Sequence, residues 1–155
     1  MATEKARSGG RETVGGVFLD GDGLERLKTS ADRQQFASAW LAAVAKQNPS
    51  VRQGLVMLST AGTARFEPAA IWPVGAKPER PLAASVETAL RSGRTIIQTL
   101  REDQGEGVVL AVPVTISGQL RGAVAVVSHP LDQEGIQLLL DHLQWGAGWI
   151  ETLIG

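Results

Sequence analysis

The stretch "VVLAVPVTISGQLRGAVAVVS", residues 108–128, decides the fold. Two apolar runs, "VVLAVPVTI" and "LRGAVAVVS", flank the turn signal "SGQ". A turn that short makes the runs antiparallel neighbours. A strand with one wet face alternates apolar and polar residues. These runs are apolar at nearly every position, the pattern of strands buried on both faces. Helices must therefore cover both sides of the sheet that contains them.

Reading outward, "HPLD" breaks the chain and Asp132 can cap a helix running to the end. Upstream, "REDQGEG" reads as a polar loop, "RTIIQTL" as a strand and "LAASVETALRSG" as a short helix with Gly93 as its C-terminal cap. "WPVGAKPERP" is a proline-bearing loop. "VRQGLVMLS" and "ARFEPAAIW" read as two strands of a hairpin turning at "GT". Alternation places Phe66, Pro68, Ala70 and Trp72 on one face and Arg65, Glu67, Ala69 and Ile71 on the other. Pro68 cannot donate to a ladder, so it marks an edge or a bulge. Further upstream a helix begins near Ser30 or Asp32, with Phe36, Trp40 and Val44 on one side and Ala37 and Leu41 beside them. It stops before "QNPS", because Pro49 disfavours helical geometry at Asn48.

Residues 1–30 hold six of the 18 glycines and read as a flexible, mostly irregular segment with one helical turn at "LERL". "GDG" within it is a turn signal, since the other ligands of a calcium loop are missing. The expected organisation is this segment followed by one domain over 31–155. Its class is mixed α/β (α+β): a mainly antiparallel central sheet of five to six strands, helices on both faces, and N- and C-terminal helices packed together.

Composition narrows the chemistry. The chain has 155 residues, net charge −1 and pI about 6.1, so no basic excess exists to grip nucleic acid. There is no cysteine, which removes disulfides, thiolate metal sites and cysteine nucleophiles. Two histidines, His129 and His142, make a multi-histidine metal site a poor expectation. No apolar run is long enough to cross a membrane, and "MATEKARSGGRE" lacks a signal core, so a cytoplasmic location is expected. Ser128 and His129 are adjacent in a strand and point to opposite faces, which prevents a nucleophile–base pair. Glu102, Asp103 and Glu106 read as a solvated loop. No catalytic or metal site is expected.

At "LAVPVTISGQLRGAVAVVS" the chain resembles a GAF domain, a family with a "vPv" strand, a glycine turn, a "GavavvS"-like strand and a terminal helix. "GLVMLST", "FEPAAIWPVG" and the short helix before "GRTIIQ" match in order and spacing, so the resemblance covers roughly residues 31–154. "AAIWPVG" together with "DHLQWGAGWIETL" further resembles the GAF domains at the N-terminal end of bacterial haemolysin-secretion-type membrane-fusion adaptor proteins. That likeness implies a cytoplasmic domain with a membrane-anchored continuation, and no membrane insertion by this segment. The Asn-Lys-Phe-Asp-Glu signature of cyclic-nucleotide binders is absent. Bilin attachment and free methionine sulfoxide reduction need cysteine, and haem has only His129 and His142 as candidate axial ligands. The resemblance thus implies a fold more firmly than a ligand, and it names no cofactor. In the family a cavity lies on one sheet face beneath a lid, here "PVGAKPERPLAASVETALRSG". That implies Met57, Arg65, Phe66, Trp72, Arg94, Ile97 and Gln98 as ligand candidates, with Arg65 or Arg94 for an anion. The preferred reading is that Met57, Phe66, Trp72 and Ile97 simply pack the core.

The terminal helix carries more apolar surface than one packing face needs. Leu139, Leu143, Gly146, Ile150 and Leu153 form one stripe; Leu138, His142, Trp145 and Trp149 form a second beside it. The apolar arc is about 220°, against the ~100° of a one-sided helix. A second surface must therefore meet the first helix, through Trp40, or a second subunit in a two-fold bundle. Gly146, central in the main stripe, lets a neighbouring backbone come close. Gly148 lies on the polar face without an evident reason. The expected function is a non-catalytic sensor module, a homodimer that binds a small molecule and couples to a membrane-fusion adaptor. The alternative is a structural dimerisation or interaction domain without ligand.

Overall fold

The computed structural model describes residues 12–14, 17–19, 30–59 and 65–154. Two short strands, β1 (Glu12–Val14) and β2 (Val17–Leu19), pair antiparallel. The expectation of an irregular segment over 1–30 is corrected to that extent, because a local strand pair needs no long periodic signal. "LERL" and "GDG" lie outside the described residues, as does the "GT" turn. Then follow α1 (Ser30–Gln47), β3 (Val51–Ser59), β4 (Phe66–Trp72), α2 (Arg80–Ser92), β5 (Ile96–Leu100), a 3-10 turn (Glu102–Gln104), β6 (Gly107–Ile116), β7 (Gln119–Ser128) and α3 (Gln133–Ile154).

Strands β3 to β7 form a five-stranded antiparallel sheet in the order β4-β3-β7-β6-β5. The central strands β6 and β7 are buried on both faces, as their composition requires. Val108, Leu110, Val112, Val124 and Val126 join α1 and α3 in one core. Val109, Ala111, Ala123, Ala125 and Val127 join α2 in the other. The expected end signals are present. Gly93 caps α2 at φ 68°, its N–H donating to the Ala89 carbonyl at 2.8 Å. The Asp132 carboxylate accepts the Gly135 N–H at 2.7 Å at the start of α3.

Three ladders carry one extra residue on one strand. Between β3 and β4, Val56 pairs Ala70 and Met57 pairs Pro68, so Ala69 is unpaired. The bulge sits beside Pro68 on an edge strand, as a missing N–H favours. It also reverses the facing of half the strand, which corrects the alternation read from sequence. Phe66 and Pro68 lie opposite Ser59 and Met57 on the α2 side, while Ala70 and Trp72 lie opposite Val56 and Gly54 on the α1 side. The other two bulges place an arginine as the extra residue, Arg52 between β3 and β7 and Arg121 between β6 and β7.

Helices α1 and α3 lie on the same side of the sheet and touch through Trp40. A Cβ built on Gly146 would overlap the Trp40 indole. The close neighbour of Gly146 is therefore a side chain, where a backbone was expected. Trp40 is 1% exposed. Burying an indole removes roughly 150–250 Å² from water, which contributes about 4–6 kcal/mol at ~25 cal/mol per Å². That outweighs the ~1 kcal/mol a helical glycine costs. Asn48 adds a polar tie: its Nδ2 donates to the Val44 carbonyl at 2.8 Å and to His142 Nδ1 at 3.0 Å.

Gly146→Ala should therefore lower the unfolding free energy by about 1–3 kcal/mol through overpacking, measured by urea denaturation. In a Trp40→Leu background the same substitution should cost far less, since the ring it strikes is gone.

Candidate functional site

The lid helix α2 sits directly on the sheet. Its Leu82, Val86 and Ala89 are buried against a floor that includes Ala111, Ala123 and Ala125. Small floor side chains let the helix come close, so its own side chains fill the space where the resemblance implies a cavity. Of the ligand candidates, Met57, Phe66 and Gln98 share the α2 side, but Phe66 is on edge strand β4 and Gln98 on the opposite edge β5. The Gln98 Oε1 accepts a hydrogen bond from Ser85 Oγ at 3.3 Å. Trp72 and Ile97 lie on the α1–α3 side, opposite Gly54 and Leu110, and Ile97 is 51% exposed. Arg65 and Arg94 are exposed. The seven side chains do not converge on one volume.

What holds the lid was not legible in the sequence. The bulge at Arg52 turns its guanidinium toward the loops at the end of the sheet. Nε and Nη2 donate to the two Glu79 oxygens at 3.0 and 3.2 Å, and Nη1 donates to the Glu106 carbonyl at 2.8 Å. Beside it, Gln53 Nε2 donates to the Lys77 carbonyl at 3.0 Å and Gln53 Oε1 accepts the Glu79 N–H at 2.7 Å. One strand end thereby ties the loop after β4 and the loop before β6. The Arg52 and Glu79 side chains are 17% and 30% exposed, so this bidentate pair is screened less than a surface ion pair. The one hint in the sequence was a charged residue, Arg52, within the strand "VRQGLVMLS".

Two open features stand out among the described residues. A cavity of about 180 Å³ lies where the Ala69 bulge meets the start of α1, lined by Arg33, Gln34, Leu58, Ser59, Glu67, Pro68 and Ala69. In a narrow recess shared by Arg33, Leu58, Ser59 and Ile116, Arg121 has its Nε buried without a hydrogen-bond partner. The second feature is the outer face of α3. Leu138 is 58% and Trp145 49% exposed, and a shallow groove of about 400 Å³ is bounded by Gln144, Trp145, Gly148, Trp149 and Thr152. The Trp145 and Trp149 rings pack with centroids 5.8 Å apart at 60°. A Cβ on Gly148 would meet nothing within 4 Å. The proposed interface residues thus divide: Trp40 is committed to the domain's own core, and half-buried His142 bonds Asn48 of the α1 end. Leu138, Trp145 and Trp149 face outward or stand at the groove.

Ser128 is fully buried and its Oγ donates to the His129 carbonyl at 2.7 Å, which leaves the imidazole out of reach of that proton. Glu102 and Asp103 sit on the exposed 3-10 turn, where Asp103 pairs with Arg101 at 3.3 Å. Among the described residues no group of three or more His, Cys, Asp or Glu could hold a metal ion. No described helix is long and apolar enough to cross a membrane.

No family model and no curated protein sequence matches the chain. Solved structures do. The GAF domain of A. aeolicus nlh2 in an inactive state superposes with a TM-score of 0.59 at 8% identity, over 85% of this chain and 93% of that one. The fold is that of a GAF domain. The GAF domain of an Acinetobacter phosphoenolpyruvate-protein phosphotransferase matches at 0.53 and 12% identity, over 88% and 94% of the two chains. The type II free methionine-R-sulfoxide reductase of Thermoplasma acidophilum matches at 0.55 and 13% identity, over 81% and 95%. At such identities the likeness is one of architecture. A GAF domain of a phosphotransferase and a reductase share it, so the fold alone selects no activity.

Two substitutions check the geometry. Arg52→Ala should cost about 1.5–3 kcal/mol, the range for hydrogen bonds to charged groups, and hydrogen exchange should speed up over residues 73–79 and 101–107 together. Gly148→Ala should raise the unfolding free energy of the dilute chain by about 1 kcal/mol, because helix propensity improves and nothing is struck.

Proposed function

We propose that this GAF-fold chain is a non-catalytic regulatory module that acts by polypeptide contact on the outer face of α3. The observation that carries the reading is the two-sided helix: an inner stripe of Leu139, Leu143, Ala147 and Ile150 buried in the core, and an outer one with Leu138 and Trp145 about half exposed. Exposed large apolar side chains clustered on one face mark contact surfaces. α3 also reports on the domain behind it. Gly146 seats Trp40 of α1, His142 bonds Asn48, and the Glu151 carboxylate accepts the Thr115 N–H at 3.0 Å. A change in how the sheet packs would shift these contacts, and so the helix.

The absence of cysteine and the engaged Ser128 hydroxyl favour a non-catalytic role. The likeness of "AAIWPVG" and "DHLQWGAGWIETL" to adaptor-protein GAF domains supports a cytoplasmic module whose α3 leads toward a membrane-fusion adaptor. A small-molecule ligand beneath the lid is part of the reading, and its entry would strain the Arg52–Glu79 tie.

The test compares hydrogen exchange over residues 138–152 in a lysate of the source cells with that in the isolated chain at high dilution. Slower exchange in the natural setting, lost on Trp145→Ala, is the expected result; equal exchange in both overturns the contact reading. An apolar run of about 20 residues encoded after Gly155 would support the adaptor link, and an immediate stop codon would remove it. Incubated with free methionine-R-sulfoxide and a thiol reductant, the chain should give no methionine.

A further inference from the structure

At the hairpin end of the sheet, on the α1–α3 side, one row of residues runs across three strands. Glu67 of edge strand β4 pairs with Leu58 of β3, and Leu58 pairs with Gly122 of β7. A Cβ on Gly122 would strike Leu58 and the Met57 carbonyl, so this close pairing requires glycine. Arg121, the extra residue of the bulge, stands beside it. Its Nε is buried without a hydrogen-bond partner, in a recess with no room for a water molecule. A buried charged donor without an acceptor is costly, and neither the chain nor solvent supplies one here.

An acceptor has a way in. Arg33, Leu58 and Ser59 line both this recess and the cavity of about 180 Å³ at the start of α1, so the two spaces share a wall. Arg33 is partly exposed. An anion in the cavity would draw its guanidinium onto itself and open the recess to Arg121 Nε. Arg33 and Arg121 against Glu67 leave the lining one net positive charge, which suits a single negative charge and opposes two. Size narrows the choice further. A cavity of about 150 Å³ holds benzene, whereas sites for drug-sized ligands run to ~300–1,000 Å³. Leu58, Pro68 and Ala69 offer a short carbon chain an apolar wall.

We propose that this cavity binds a small monocarboxylate, whose oxygens accept from Arg121 Nε and the Arg33 guanidinium and whose carbon chain lies on Leu58, Pro68 and Ala69. A guanidinium meets a carboxylate in plane, through two parallel N–H donors, which gives the pair its selectivity for that group. The site lies on the opposite side of the sheet from the lid helix α2, so it is separate from a ligand beneath the lid. It goes beyond the contact reading and does not depend on it. Ile116 of the recess wall adjoins Thr115, whose N–H donates to Glu151, so the site neighbours the end of α3.

Butyrate is the probe, followed by NMR of the arginine Nε–H groups. The Arg121 signal, identified by its loss in Arg121→Met or Arg121→Lys, should move and saturate with a Kd of about 1 mM or tighter, within reach of a ligand of about six heavy atoms. Butanol, the same chain without the charge, should bind at least about ten-fold more weakly, the loss of a charge-assisted pair. Arg121→Met should abolish butyrate binding yet raise the melting temperature, because it removes the unmatched donor. Glu67→Gln, on the exposed edge strand, should tighten binding about three-fold by removing the opposed charge. A response to butyrate that never saturates overturns the proposal. So does one centred on Arg52 at the lid, or binding that Arg121→Met and Glu67→Gln both leave unchanged. Inorganic phosphate binding as tightly as butyrate would overturn the assignment to a carboxylate.

Discussion

The packing of Trp40 onto Gly146 is the constraint on which the α1–α3 side depends. A fully buried indole has to find room between two helices and a sheet, and only a residue without a side chain leaves it. That contact sets how close α3 lies to α1. It brings His142 within reach of Asn48, and it accompanies the burial of Leu139, Leu143 and Ile150 on the valine-rich face of β6 and β7. With the inner stripe so committed, the adjoining stripe is left facing outward. The exposed face of α3 is thus a geometric consequence of the buried one.

The opposite side of the sheet follows another logic. There the floor is largely alanine, the covering helix is short, and α2 lies close enough for its leucine and valine to fill the interface. The lid is held from its end by Arg52, which a bulge turns out of the ladder. The two sides therefore differ in kind: one is closed by apolar filling and an ion pair, the other exposes aromatic surface.

Much of the architecture was legible because its signals are local. Unbroken apolar runs at 108–128 required cover on both faces, and both faces are covered. Gly93 and Asp132 marked helix ends by their own backbone chemistry, and both caps are present. The facing of β4 was not legible. Alternation assumes one partner residue per residue, and the Ala69 bulge breaks that count halfway along, sending Phe66 and Trp72 to opposite sides. The ligand candidates lie apart for a second reason: closeness along the chain says nothing of sheet order, and the edges β4 and β5 stand at opposite ends of the sheet.

By itself the sequence determined the layers, the antiparallel pairing of neighbouring strands, the helix ends and the surplus of apolar surface on α3, since each depends on residues a few positions apart. Tertiary structure decided what each surplus meets. It chose a side chain rather than a backbone to lie against Gly146, turned Arg52 into the tie between two loops, and left Gly148 and Trp145 facing outward. Those outcomes depend on how many residues one strand sets against another and on how closely two helices approach, and neither quantity is written in the periodicity of a single segment.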